Sequence, residues 1–97
     1  MKMKSDLEDT LVRFFGSTSR ARILLFLYAN FARTFYQREI MFETGLSLQT
    51  TQRELSNLVD LGIIKKQETN NKVYYRVNSA SPFFRPLKEI YSLSSEE

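Results

Sequence analysis

Gln49, Gln52, Arg53 and Ser56 recur at helical spacing between Ser47 and Gly62, with Thr50 at their side. These groups suit recognition better than catalysis. A glutamine amide donates and accepts at once, so it can pair through two hydrogen bonds with adenine. A guanidinium pairs in the same way with guanine, and a hydroxyl serves either base. A helix face that only meets solvent is usually built from Glu and Lys pairs, and this edge has neither. The edge is therefore predicted to meet base edges in the major groove of double-stranded DNA. The plainer alternative is a solvated helix that happens to be polar.

The chemistry that the chain lacks narrows the field. Its 97 residues include no Cys and no His. Disulfides, thiolate or imidazole metal sites, and Ser–His or Cys–His nucleophile activation are thereby excluded. No nucleophile–base pair, metal set or phosphate-binding glycine loop is present, so the sequence predicts no enzyme, no metal and no cofactor. The start of the chain turns acidic at Asp6, Glu8 and Asp9 with no apolar run behind its lysines, unlike a secretory signal. The most apolar run, Ile23 to Tyr28, is far below the roughly 20 residues needed to span a bilayer. A soluble cytoplasmic protein of one domain, residues 1–97, is expected.

Net charge is +3, and its distribution is uneven. Between Asp9 and Glu39 there is no acid but five arginines, Arg13, Arg20, Arg22, Arg33 and Arg38. A second basic cluster, Lys65, Lys66, Lys72 and Arg76, is diluted only by Glu68. Cations on both sides of a polar element suit the phosphates flanking a groove, although solvated surface charge would look the same.

The positioning elements follow from caps and periodicity. Ser5 with Glu8 reads as a capping box for a first helix carrying Leu7, Leu11, Phe14 and Phe15, ending near Gly16. A second helix begins after Ser17 or Thr18 and runs to about Ala32, with Leu24, Leu27, Tyr28 and Phe31 on one face. Thr34 to Tyr36 is a short β-prone stretch. A third helix covers about Gln37 to Thr44, stopped by Gly45. Ser47 caps a fourth, Leu48 to about Leu61, with Thr51, Leu55, Leu58 and Val59 turned inward. Ile63–Glu68 and Lys72–Asn78 read as an antiparallel hairpin turned at Asn70 and Asn71, because Asn tolerates positive φ. Val73, Tyr75 and Val77 then share one face, and Lys72, Tyr74 and Arg76 the other. Pro82 opens a last helix bearing Phe83, Phe84, Leu87, Ile90 and Tyr91, with Pro86 in its first turn. The class is mainly α with a small β-hairpin (α+β). Within it, Gln37 to Gly62 has the helix-turn-helix pattern: a short helix, a turn opened by Gly45 and plugged by Leu46, then a Ser-capped amphipathic helix.

The ordered series F-G-S-T-S-R-A-R-I-L, T-F-Y-Q-R-E-I, T-G-L-S, L-G-I-I and K-V-Y-Y-R-V, from Phe15 to the wing strand, resembles winged helix-turn-helix transcription regulators of the arsenical-resistance-repressor-like (ArsR-like) group. The resemblance extends to about Tyr91. It implies a regulator, expected to be a repressor, with helix 48–61 in the major groove and wing 63–78 on the adjacent backbone or minor groove. Carried over by position, Gln49, Thr50, Gln52, Arg53 and Ser56 become base or nearby phosphate contacts. Asn70, Asn71 and Lys72 become wing contacts. Thr18, Arg20, Tyr36, Gln37 and Arg38 become phosphate contacts, although a core role competes for Tyr36. Tyr75 is expected in the core. Metal-sensing members of that group use Cys or His, so their metal response is not inherited here. Met41 departs from the Ala usual at its position, and Phe42 points away from the expected core.

The end helices are richer in apolar residues than so small a core requires. Leu7, Leu11, Phe14, Phe83, Phe84, Leu87, Ile90 and Tyr91 are accordingly expected at a two-fold homodimer interface, the alternative being that they only cap the core. The runner-up for function is a winged-helix protein-interaction module or adaptor subunit without specific DNA binding.

Overall fold

The computed structural model describes residues 3–92, with side chains from residue 9 onward. In chain order the elements are α1 (Met3–Phe15), α2 (Thr18–Ala29), α3 (Gln37–Thr44), α4 (Leu48–Asp60), β1 (Ile64–Thr69), β2 (Lys72–Val77) and α5 (Phe84–Ser92). Local chemistry explains most of these bounds. The Ser17 hydroxyl accepts from the Arg20 N–H at 3.1 Å and opens α2. The Ser47 hydroxyl accepts from the Thr50 N–H at 3.1 Å and opens α4. Each satisfies an N–H that has no partner within the helix.

Two bounds differ from expectation. Helix α1 begins at Met3, so Ser5 lies inside it and is not its cap. Helix α2 stops at Ala29, not Ala32. The Asn30 side chain donates to the Phe26 carbonyl at 2.8 Å, and its N–H turns back to Leu27 O at 3.1 Å. That side chain offers the backbone an alternative to another helical turn. Phe31 therefore leaves the helix and lies at the surface, under the Lys88 ammonium at 4.6 Å and edge-on to Phe84 at 5.8 Å.

α3, the Gly45 turn and α4 form the helix-turn-helix. Gly45 takes φ +72°, and its N–H bonds to Met41 O at 2.8 Å, a left-handed stop that a Cβ would strain. β1 and β2 pair antiparallel with Ile64 opposite Val77 and Thr69 opposite Lys72. Asn70 and Asn71 turn the hairpin at φ 51° and 67°, the double positive φ of the tightest hairpin turn. Phe35 adds a third, one-residue strand: its N–H donates to Tyr75 O at 2.9 Å and its carbonyl accepts from the Tyr75 N–H at 2.8 Å. This is the winged helix-turn-helix arrangement.

The core joins Ile23, Leu24 and Leu27 of α2 to Ile40, Leu55, Leu58, Ile64 and Val77, all buried. Tyr28 and Tyr91 stack at 5.5 Å between α2 and α5. Burial pushes the Tyr28 hydroxyl up to about 12 and raises that of Tyr91, with the Tyr28 charge adding to the latter. The folded Tyr28 thus keeps its proton where the unfolded chain loses it near 10. Its contribution is complete below pH 10 and is lost as pH climbs toward 12. Urea unfolding across this window will show falling stability, and Tyr28→Phe will flatten the decline; an equal decline in the variant would contradict the assignment.

Candidate nucleic-acid interface

The orientation of α4 is fixed from below. Thr51, Leu55 and Leu58 have no exposed surface, and burying each leucine is worth roughly 1.5–3 kcal/mol. These anchors turn Gln49, Gln52, Arg53 and Ser56 outward, where all are exposed, with Thr50 half-buried beside them. Leu48, half exposed at the helix start, adds an apolar group to this edge that the sequence pattern did not single out, and a methyl-bearing thymine would suit it.

The burial of Glu54 is the main feature that sequence reasoning missed. Its side chain is 6% exposed and accepts from Arg20 Nε of α2 at 2.8 Å. Arg53 Nε lies 3.9 Å from its other carboxylate oxygen. One carboxylate thus ties α4 to α2 and leans on Arg53, whose side chain remains 61% exposed. This gives Arg20 a role that the expectation of a phosphate contact did not include: through its Nε–H it positions α4 from α2. Arg22 Nη1 reaches the Thr44 carbonyl at 3.4 Å, at the end of α3.

The start of α3 stands beside the wing. Glu39 accepts from the Tyr36 N–H at 2.8 Å and secures the first turn. Gln37 is half-buried and joins Gln52, Ser56, Lys66 and Tyr75 in lining a groove of about 470 Å³ between α4 and the wing. Arg38 is exposed and stacks on the Tyr36 ring at 4.6 Å. Tyr36 is half-buried, its hydroxyl sharing a 3.1 Å hydrogen bond with that of Tyr74. That bond, aided by burial and the Tyr36 charge, holds the Tyr74 hydroxyl above its ordinary pKa. Thr18 is exposed at the start of α2, Asn70, Asn71 and Lys72 are exposed at the wing tip, and Tyr75 is buried. Tyr74 and Arg76 were not singled out as contacts. Only the Phe35 bridge, which a β-prone triplet hinted at, brings Tyr74 to Tyr36.

The residues expected at a dimer interface divide. Leu11, Leu87 and Tyr91 are at most 8% exposed and belong to the core of the chain itself. Their surface is spent on α2, so they correct that part of the expectation. Phe84 and Ile90 are half-buried against the same core. Phe14 and Phe83 are 73% and 53% exposed, and the Leu7 side chain lies outside the described residues. Phe42 is exposed as expected, at 84%, on the rim of a second groove that Phe26 and Phe35 also line.

Among the described residues no group of three or more carboxylates could hold a metal ion, and no helix is long and apolar enough to cross a membrane. The MarR family model matches residues 17–71, from the α2 cap through the wing turn. This is more than half of the chain, which therefore belongs to the MarR family of winged-helix transcription regulators. No curated protein and no solved structure matched. The expected ArsR-like grouping is thereby corrected. Its motifs comprise a left-handed glycine stop, a serine cap and an alternating wing strand, all demanded by the shared fold, so they do not separate one winged-helix family from another.

The Arg20–Glu54 pair yields a direct check. Glu54→Ala is expected to cost about 1–3 kcal/mol, discounted because Arg20 is partly exposed. A double-mutant cycle with Arg20→Ala should return a coupling of about 0.5–3 kcal/mol in urea unfolding; strictly additive effects would contradict the tether.

Proposed function

We propose that this chain is a sequence-specific, double-stranded DNA-binding transcriptional repressor that acts as a homodimer. In this reading α4 enters the major groove and the wing rests on the adjacent backbone or minor groove. One observation carries the proposal: Gln49, Gln52, Arg53 and Ser56 form an exposed edge on a helix whose opposite side is immobilised. Membership of a family of DNA-binding regulators supports it.

The mechanism is occupancy. Cations supply affinity through the phosphates, and the amide, hydroxyl and guanidinium groups of α4 supply sequence choice. Arg53 reads a guanine, with its charge partly balanced by Glu54, and Gln49 and Gln52 read adenines. Thr18, Gln37 and Arg38 stand where backbone phosphates would pass on either side of α4, and Asn70, Asn71 and Lys72 reach the next groove. Phe14 and Phe83, with the partly covered Phe84 and Ile90, supply the apolar surface on which a second copy docks. A two-fold dimer sets two recognition helices about 34 Å apart on a pseudo-palindrome. The exposed Phe42 ring favours a second reading, an adaptor that docks another protein and binds DNA weakly.

Selection of bound sequences from random duplex DNA should return a two-fold motif. Arg53→Ala should then lose about 1–3 kcal/mol on that motif and relax one position per half-site. Equal loss on selected and random duplex would refute base reading, and the absence of any motif would favour the adaptor. For assembly, sedimentation should give a dimer at tens of micromolar, and Phe14→Asp should shift it to monomer; a monomeric parent chain would contradict the dimer.

A further inference from the structure

Phe42, at 84%, is the most exposed large apolar side chain among the described residues. It stands on the rim of a groove of about 600 Å³, lined by α2, the segment after it and α3, and by no described residue of α4 or the wing. The floor is Phe26 of α2 with Phe35, their ring centroids 4.7 Å apart. One wall is the segment that follows α2, where Arg33 lies over the Phe35 ring at 4.8 Å. The other wall is α3, on which Glu39, Phe42 and Glu43 recur at the spacing of one helix face.

The two walls carry opposite charges that do not meet. Among the described residues, Arg33 has no carboxylate partner and Glu43 no cation. Arg38 and Glu39, also on the α3 wall, are both held by Tyr36, the first over its ring and the second on its N–H. Against a partner of single sign, a cation on one wall and a carboxylate on the other cannot both be matched. A second copy of the chain removes that mismatch. A two-fold axis along the groove sets the Arg33 wall of one copy against the Glu43 wall of the other, and does so twice. The same rotation brings each Phe42 over the phenylalanine floor of the other copy.

We propose that the Phe42 groove is a self-association site, in which two copies of this chain each lay Phe42 into the groove of the other and pair Arg33 with Glu43 across a two-fold axis. The contact is distinct from the end-helix surface around Phe14 and Phe83. One ring and one ion pair per copy make a small interface of the transient class, so it forms between copies already held near one another. Because the groove lies off α4 and the wing, both copies keep their reading edges free. On the DNA-binding reading above, on which this consequence rests, neighbouring dimers touch through Phe42 and fill adjacent operators cooperatively.

The test uses the full chain carrying Phe14→Asp, which removes the end-helix surface. It is followed by sedimentation and by the NMR signals of its phenylalanine rings up to about 1 mM, the order of concentration that tethering supplies. A concentration-dependent step from one copy to two is expected, with the Phe26, Phe35 and Phe42 rings shifting together. Phe42→Ala should abolish that step. Arg33→Glu and Glu43→Arg should each abolish it alone and restore it when the two variants are mixed, because the mixture pairs opposite charges at both ends of the contact. No step in the Phe14→Asp chain, or a mixture of folded variants that stays monomeric, overturns the proposal and leaves the groove to the adaptor reading. The consequence on DNA is read with the parent chain on duplexes carrying two selected motifs, at spacings stepped through one helical turn. At one phase the second site should fill about fivefold or more tightly than the first, whereas Phe42→Ala should fill both independently with unchanged single-site affinity. Independent filling by the parent at every spacing overturns the role on DNA. If the parent binds no duplex, the DNA-binding reading falls, while the concentration series still decides the contact.

Discussion

A buried carboxylate between two helices sets the constraint on which the rest of the molecule depends. Glu54 lies on the underside of α4 among Thr51, Leu55 and Leu58, where an unpaired charge would be costly. The Arg20 guanidinium, reaching across from α2, makes its burial tolerable. Apolar burial holds the helix against the core but is itself non-directional. A short charge-assisted hydrogen bond penalises rotation because its strength depends on direction. Together they fix which residues of α4 face outward, and hence which hydrogen-bonding groups a DNA groove would meet.

The elements around α4 serve the same purpose. The left-handed turn at Gly45 and the serine cap at Ser47 set where α4 begins. The one-residue Phe35 strand ties the wing to the start of α3, so that α3, α4 and the hairpin present one continuous surface. On the far side, α1 and α5 cover α2 and leave Phe14 and Phe83 in solvent. The reading edge and the proposed docking edge thus lie on opposite sides of a shared core, an arrangement in which two copies could assemble without covering either recognition helix.

Features set by local chemistry were legible in the sequence. Ser47, Gly45, the paired asparagines and the alternation of β2 each act over a few residues, and the elements they specify lie where expected. The outward edge of α4 followed from its period, because Thr51, Leu55 and Leu58 can occupy only one side of a helix. Features that depend on distant partners were not legible. Helical spacing from Thr51 and Leu58 places Glu54 on the buried side of α4, but its partner Arg20 is 34 residues away, and no local signal supplies that partner. The same holds for Tyr36 with Tyr74, and for Leu11, Leu87 and Tyr91, whose burial depends on how closely the end helices settle on α2. Family membership was misread for a related reason, since the local signals report the fold and not the lineage.

The central claim is that the exposed edge of α4 contacts bases while its underside stays locked. Side-chain amide and guanidinium resonances, followed by NMR during titration with a selected duplex, test it most directly. The account predicts large shifts at Gln49, Gln52 and the Arg53 Nε–H, with the Arg20 Nε–H unmoved because Glu54 retains it. Shifts confined to the surroundings of Phe42 or Phe14, with the α4 amides unmoved, would contradict it.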